Sequence, residues 1–220
     1  MSQKINTTRI GVGNPDLDPE QSRTWETGLD YNRAGLTGSL TWFHTDFSDK
    51  IVVDSLADGS SSWKNQGDAT VSGLELEAGY DLGVPLGLDW SLRPYVHLTL
   101  LDQLEDETTG LDLQYVSAVT AAYGLAVDSG RGFSCRLNLT HIGSQDVQDY
   151  ESGAFPAPVV ELDSATVVDL TATWTVMRFT SAGLLKLKGS LLNLTDEDYA
   201  YVKGYPMPGR TVWAGIRWEF

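Results

Sequence analysis

Cysteine is almost absent from this chain: Cys135 stands alone in 220 residues. One thiol can close no internal disulfide and build no cysteine-based metal centre, so the fold must be held by packing and hydrogen bonds. Histidine is nearly as scarce, and His44, His97 and His141 are too far apart in the sequence to read as a metal motif. Long hydrophobic runs are missing too. The longest uncharged one, residues 113–127, is broken by Gln114, Ser117, Thr120 and Gly124, which leaves no transmembrane helix to expect. The opening residues, Met1-Ser-Gln-Lys-Ile-Asn-Thr-Thr-Arg9, carry no apolar core of signal-peptide length; if the protein is exported, this is not its natural N-terminus. Basic residues are outnumbered, 15 Lys and Arg against 30 Asp and Glu, for a net charge of −15. That balance argues against a nucleic-acid partner, whose phosphates need a basic face.

What the sequence does have is alternation. Glycine numbers 22 and aromatic residues make up 10%, with 7 Trp and 9 Tyr, a composition that suits an all-β chain with many turns. Residues 11–22 read as a loop. Trp25, Thr27, Leu29 and Tyr31 then share one face against Glu26, Gly28 and Asp30, and a tight turn at 32–35 leads to Leu36, Gly38, Leu40 and Trp42. The same period of two returns at Leu74–Tyr80, Trp90–Leu100, Val119–Val127, Phe133–Leu139, Val168–Val176 and Leu185–Leu191. It returns last at 210–220, where Val212, Ala214, Ile216, Trp218 and Phe220 oppose Thr211, Trp213, Gly215, Arg217 and Glu219. This predicts an antiparallel meander of about nine to ten strands, the tenth being a further edge strand near Lys4 to Val12. Pro94 removes a ladder donor inside the fourth strand and predicts a bulge or break there.

Three features separate a membrane sheet from a soluble one. Connections alternate short and long: 32–35, 83–87, 128–132 and 179–183 are turns, whereas 48–67, 102–112, 143–163 and 193–209 are loops. Transmembrane barrels show that parity, with short periplasmic turns and longer extracellular loops. The apolar faces hold no Asp, Glu or Lys, and their one Arg, Arg210, is at a strand tip. Finally, Tyr31, Tyr80, Trp90, Phe133, Trp174, Trp218 and Phe220 all lie near the short-turn ends, as an interfacial aromatic girdle would.

Chemical constellations are few. His97 is placed beside Tyr95 and Thr99 on the polar face, where a hydrogen-bonded structural role fits better than catalysis. Glu75, Glu77 and Asp81 line the same face, but paired catalytic carboxylates need one raised pKa in a partly dry pocket, and a watery channel or a contact with a plug is the plainer reading. Gly11-Val-Gly13 lacks the strand-to-helix setting of a dinucleotide loop. Asn6, Asn138 and Asn193 match the glycosylation pattern by chance. The acidic loops 102–112 and 145–163 could hold calcium or a cationic ligand, the plainer reading being solvated loops. Trp63, Tyr150, Phe155, Tyr201 and Tyr205 are the outer-loop aromatics at which ligand contact would first be sought, without any being assigned as a site. Cys135 faces the apolar side. No catalytic, cofactor or metal residue is predicted.

Several segments resemble the C-terminal barrel part of TonB-dependent outer-membrane receptors: Asn14-Pro-Asp-Leu-Asp-Pro-Glu20 with Trp25-Glu-Thr-Gly-Leu-Asp-Tyr31, Asn65–Glu77, Asn193-Leu-Thr-Asp-Glu-Asp-Tyr199, and Tyr205-Pro-Met-Pro-Gly-Arg210 with the closing Phe220. The resemblance implies a barrel of about 22 strands around a plug, taking up a scarce ligand such as a ferric siderophore or cobalamin. It implies a place in the outer membrane of a Gram-negative bacterium and partners to match: outer-membrane lipid, the assembly machinery, a small-molecule ligand, and the TonB complex. No enzyme activity is implied. On this reading the chain is a single incomplete β-barrel domain over 1–220, with 1–22 a lead-in like an extracellular loop and 23–220 the strands. The plug and earlier strands are expected elsewhere, as in a truncated gene product or a cut piece, and the TonB contact with them. Nine antiparallel strands leave the first and last pointing the same way, so a curved open sheet or partial transmembrane barrel is expected, not competent for transport alone. Trp218 and Phe220 are expected to be its outer-membrane assembly signal. The alternative is a self-contained small porin or a soluble β-sandwich binding domain.

Overall fold

The computed structural model describes residues 11–56, 60–107, 110–154, 157–179 and 183–220. Its strands in chain order are β1 (Gln21–Arg33), β2 (Leu36–Ser48), β3 (Ile51–Ser55), β4 (Ser61–Asn65), β5 (Ala69–Tyr80), β6 (Ser91–Asp106), β7 (Leu111–Asp112), β8 (Val119–Asp128), β9 (Phe133–Ile142), β10 (Gln145–Gln148), β11 (Val159–Leu162), β12 (Ala165–Phe179), β13 (Gly183–Leu192), β14 (Ala200–Val202), β15 (Tyr205–Pro206) and β16 (Thr211–Glu219). One short helix, α1 (Gly83–Leu86), sits in the turn between β5 and β6.

Nine of these strands make one antiparallel sheet in the order β1-β2-β5-β6-β8-β9-β12-β13-β16, with β7 adding to β6. They are the nine strands that alternation predicts. Each pairs with its neighbour in sequence order along the sheet, and β1 and β16 remain its edges. The order contains no crossover, so local hairpins alone generate the topology. The tightest is the β1–β2 turn, where Ala34 and Gly35 both take positive φ, 53° and 83°, the geometry of a two-residue turn whose twist matches its strands.

One expectation about strand detail is corrected. The β6–β8 ladder runs unbroken through Pro94↔Leu125, so there is no break at the proline. The amide and carbonyl of Leu92 both point to the β5 side, to Asp81 Oδ1 (3.3 Å) and Leu82 N (2.9 Å). Two residues on, Pro94 faces the same way, but β5–β6 pairing stops at Gly79↔Tyr95. The next pair in register would set Pro94 against Tyr80, the last residue of β5, and with no amide to give there the proline ends that ladder while leaving the β6–β8 ladder intact. The bulges lie elsewhere, where the β5–β6 register shifts at Ser72/Gly73 and the β12–β13 register at Thr175/Met177.

The loops are more structured than the sequence suggests. Residues 49–68 hold the β3–β4 hairpin, 143–164 hold β10–β11, and 193–210 hold β14–β15. The stretch 102–112 is not a loop throughout, since β6 continues to Asp106 and β7 pairs back onto it. Gly11 bridges to Ser61 in the β3–β4 hairpin, with Val12 N donating to Ser61 O, and not to the sheet edge, and residues 4–10 of the predicted tenth strand lie outside the described residues.

There is almost no apolar core. Among the described residues only Ala69, Val147 and Val167 are buried hydrophobics. The sheet has no second sheet packed on it among those residues, which removes the β-sandwich alternative.

Candidate functional site

The pairing registers gather the alternating residues of nine strands into two continuous faces. On one face, Leu40 lies between Leu29 and Leu76, Leu76 beside Leu98, and Leu98 beside Ala121. Farther along the sheet, Leu137 pairs with Leu125 and Leu170, Leu170 with Leu191, and Leu191 with Val212. Many of these apolar side chains are open to the surroundings: Leu29 is 74% exposed, Trp174 56% and Ile216 75%. A water-soluble protein rarely leaves so large an apolar surface bare, whereas hydrocarbon is its natural solvent.

The edges of the apolar band are marked by chemistry. At the short-turn end Tyr31, Tyr80, Trp90, Phe133 and Trp174 are joined by Phe179, which stacks on Trp218 at 5.2 Å between ring centroids. At the other end, past Trp42, Leu74 and Leu100, the same face turns polar. His44 bonds Asp46 at 3.0 Å, Ser72 donates to Asp102 at 2.7 Å, and His141 meets Thr166 at 2.9 Å. On β6 the apolar stretch from Trp90 to Leu100 matches the roughly 9–11 residues a tilted membrane strand needs.

The band also slides along the sheet. The register row that starts at Tyr31, near the short-turn end of β1, runs through Gly38, Ala78, Val96, Tyr123 and Leu139 to Val168, near the long-loop end of β12. Staying level with the girdle means stepping from Val168 toward Trp174 or Phe179, roughly one residue per strand or slightly more. That offset corresponds to strands tilted by about 35–45°, the tilt of a barrel wall.

The opposite face is polar and hydrogen-bonded. Glu77 contacts His97 at 3.3 Å, Tyr95 donates to Asn138 at 2.8 Å, and Thr171 meets Ser190 at 3.1 Å. Lys186 and Arg217 both pair with Glu219, at 2.7 and 3.1 Å. Arg136 lies over the Tyr95 ring and Lys188 over Trp213. A hollow of about 560 Å³ is lined by Arg93, Tyr95, Arg136, Glu77, His97 and Asp30 with their neighbours.

The remaining sequence candidates fall into place around these faces. Glu75 and Glu77 lie on the polar face, but Asp81 does not. It sits in the β5–β6 turn, where Oδ1 accepts from the amides of Gly83 and Leu92, and a hydrogen bond from Ser91 above all holds its carboxyl below the usual range. Cys135 is half-buried on the apolar side. Asn193 is buried, taking up Glu197 N and O and Pro208 O, and Asn138 is engaged by Tyr95; Asn6 lies outside the described residues. No group of three or more metal-ligating side chains forms among the described residues. The acidic residues of 102–112 are partly committed, Asp106 to Lys50 at 3.4 Å and Glu107 to Thr70.

The long loops knit into two groups. One joins 11–20 to the β3–β4 hairpin through Asn14 to Trp63 O (2.9 Å) and Asp18 to Asn65 (2.8 Å). The other interlocks 110–118, 143–164 and 193–210: Gln148 N donates to the Tyr115 hydroxyl, Gln145 to Tyr201 O, and Lys203 pairs with Asp149. Tyr150, Tyr201 and Tyr205 belong to this second group and are exposed, Trp63 belongs to the first, and Phe155 lies outside the described residues. In the second group burial pushes the Tyr199 hydroxyl above its ordinary pKa. Sequence reasoning missed these hairpins, though Ile51-Val52-Val53 and Val159-Val160 carried a β-branched signal.

A family model described as "TonB dependent receptor-like, beta-barrel" matches residues 3–194. Solved structures share the fold. The siderophore receptor PirA from Acinetobacter baumannii superposes with a TM-score of 0.73 at 23% identity, over 96% of this chain and 33% of that one. The FrpB iron transporter from Neisseria meningitidis gives 0.68 at 17%, over 94% and 32%. A variant of the ferric enterobactin receptor PfeA from Pseudomonas aeruginosa, in complex with enterobactin, gives 0.71 at 23%, over 94% and 32%. The chain thus spans about a third of the length of the solved structures it matches.

Proposed function

The chain belongs to the TonB-dependent receptor β-barrel family, a family of the outer membrane, and from that premise we propose that it forms part of the wall of a receptor for uptake of a scarce small-molecule ligand. The observation that carries this reading is the sheet itself, with one bare apolar face bounded by an aromatic girdle and one polar face. The ligand classes bound by the similar structures, ferric siderophores among them, are the first to try. The bacterium is Gram-negative, uptake is energised through TonB, and lipid and the assembly machinery are partners of the folded strands. Trp218 and Phe220 serve the assembly step, one stacked on Phe179 and the other fully exposed.

The edges support a shared wall over a self-contained porin. Among the described residues neither β1 nor β16 has a strand on its outer side, and the two run in the same direction, so they cannot close on each other with an antiparallel seam. In hydrocarbon each unsatisfied backbone group costs several kcal/mol. Further strands must therefore cover both edges for a closed barrel.

Cell-envelope fractionation of the chain tests the proposal, read together with uptake of a radioactive ferric siderophore by a whole receptor that contains it. The chain is expected in the outer-membrane fraction, resistant to high salt. Leu76→Arg, on the exposed apolar face, is expected to cost roughly 2–4 kcal/mol of insertion and to lower uptake in parallel. Recovery as a soluble monomer, or full accumulation of the Arg variant, would contradict it.

A further inference from the structure

We infer that the β5–β6 turn is an interfacial anchor, whose Val84, Leu86 and Leu88 sit among the lipid headgroups of the leaflet at the short-turn end instead of projecting into water. This rests on the reading of the apolar face as lipid-facing. The turn is unlike its neighbours. The β1–β2 turn reads Asn32-Arg33-Ala34-Gly35 and the β8–β9 turn Asp128-Ser129-Gly130-Arg131-Gly132, short and polar. Residues 82–88 read Leu-Gly-Val-Pro-Leu-Gly-Leu, with no charge and no polar side chain, and Val84 is 57% exposed and Leu86 64%.

That exposure is held in place by the backbone. Asp81 Oδ1 accepts from Gly83 N, Gly87 takes a left-handed φ of 61°, and Leu88 N returns to Gly83 O at 2.9 Å. Gly83 is buried against the Trp90 carbonyl oxygen, with which a Cβ would collide. The polar groups of the turn are thus bonded inward, and its apolar side chains are left on the outside.

The patch continues the lipid-facing surface. Trp90, which follows it, belongs to the girdle and alternates with Leu92, Val96 and Leu98 on the apolar face. On the other flank Val84 crowds Gly35, where a Cβ would come within 3.2 Å of its Cγ2, and the next residue, Leu36, is an exposed member of the same face paired with Tyr80. Lipid at Trp90 and Leu36 therefore meets the turn without crossing a polar rim, unlike the far end of the face, where His44, Asp46 and Asp102 intervene. Leu88 and Trp90 also share a hollow of about 430 Å³ with Asp89, Ser129 and Arg131. Its two opposite charges lie 3.5 Å apart, so a zwitterionic headgroup can approach without net repulsion. Apolar residues beside an aromatic belt are the composition of a segment lying in the membrane interface.

Spin labels on single cysteines test the anchor in the full chain, in a Cys135→Ser background inserted in phosphatidylcholine vesicles. Accessibility to oxygen and to a water-soluble nickel complex is read for Leu86→Cys, for Ala34→Cys in the polar β1–β2 turn, and for Leu76→Cys in the apolar band. The oxygen-to-nickel ratio is expected to be severalfold higher at Leu86 than at Ala34 and to approach that at Leu76. Leu88→Cys repeats the reading, so a variant that fails to insert leaves the other to decide. A ratio no higher than at Ala34, with oxygen still favoured at Leu76, sinks the anchor alone. Shielding of the label from both reagents marks a protein cover and overturns the lipid assignment as well. Nickel favoured at Leu76 too would sink the membrane reading beneath it.

Discussion

Asp81 ties a single side chain to a turn on which two strands depend. Its Oδ1 accepts from Gly83 N and Leu92 N, and the bond from Ser91, with smaller help from the charge of Arg93, holds its pKa below 3.8. A carboxyl whose folded pKa is depressed contributes stability that is fully present above its unfolded value and lost as pH falls through the folded one. The window therefore opens just below pH 3.8 and extends downward. Asp81→Ala should lower the urea midpoint of the micelle-bound chain at neutral pH, and the gap from the parent should shrink as pH drops below about 4. A gap that stays constant down to pH 2.5 would contradict the role. This residue was legible in the sequence only as one acid among several on a strand. Placing it in the turn required the end of β5, because one residue beyond Tyr80 the alternation no longer says where a side chain points.

At the scale of elements, the nine sheet strands were legible because each carries its own period of two, and a barrel wall demands that period of every strand. The hairpins inside the loops were not, because short strands without an apolar face leave no alternation to read. Gln145–Gln148 and Ser61–Asn65 are largely polar. Pro94 misled for a related reason: its missing amide faces only one neighbour, so it ends the β5–β6 ladder and leaves the β6–β8 ladder whole, and the sequence does not say which side an amide faces. That Arg93 and Arg136 share a row was out of reach because 43 residues of chain separate positions that the β6–β8–β9 register lines up. For β16, the proposed assembly role of Trp218 and Phe220 makes its own forecast. Deleting Phe220 should cut the yield of membrane-inserted protein severalfold in a heat-modifiability assay, while inserted copies bind ligand as the parent does. Equal yields with and without Phe220 would remove the assignment.

For the whole molecule, the account turns on which solvent each face meets. A sheet with three buried hydrophobic residues among those described has no interior of its own, so its stability must come from what surrounds it. If that is lipid on one side and water on the other, the tilt of the apolar band, the girdle and the polar outer rim are all consequences of one boundary condition. The direct measurement is spin labelling of single cysteines at positions 74 to 79 of β5, in a Cys135→Ser background in lipid vesicles, with accessibility to oxygen and to a water-soluble nickel complex read at each. Oxygen should be favoured at Leu74, Leu76 and Ala78 and nickel at Glu75, Glu77 and Gly79, a strict alternation. Nickel access at every position, or no alternation, would contradict the claim that this sheet divides lipid from water.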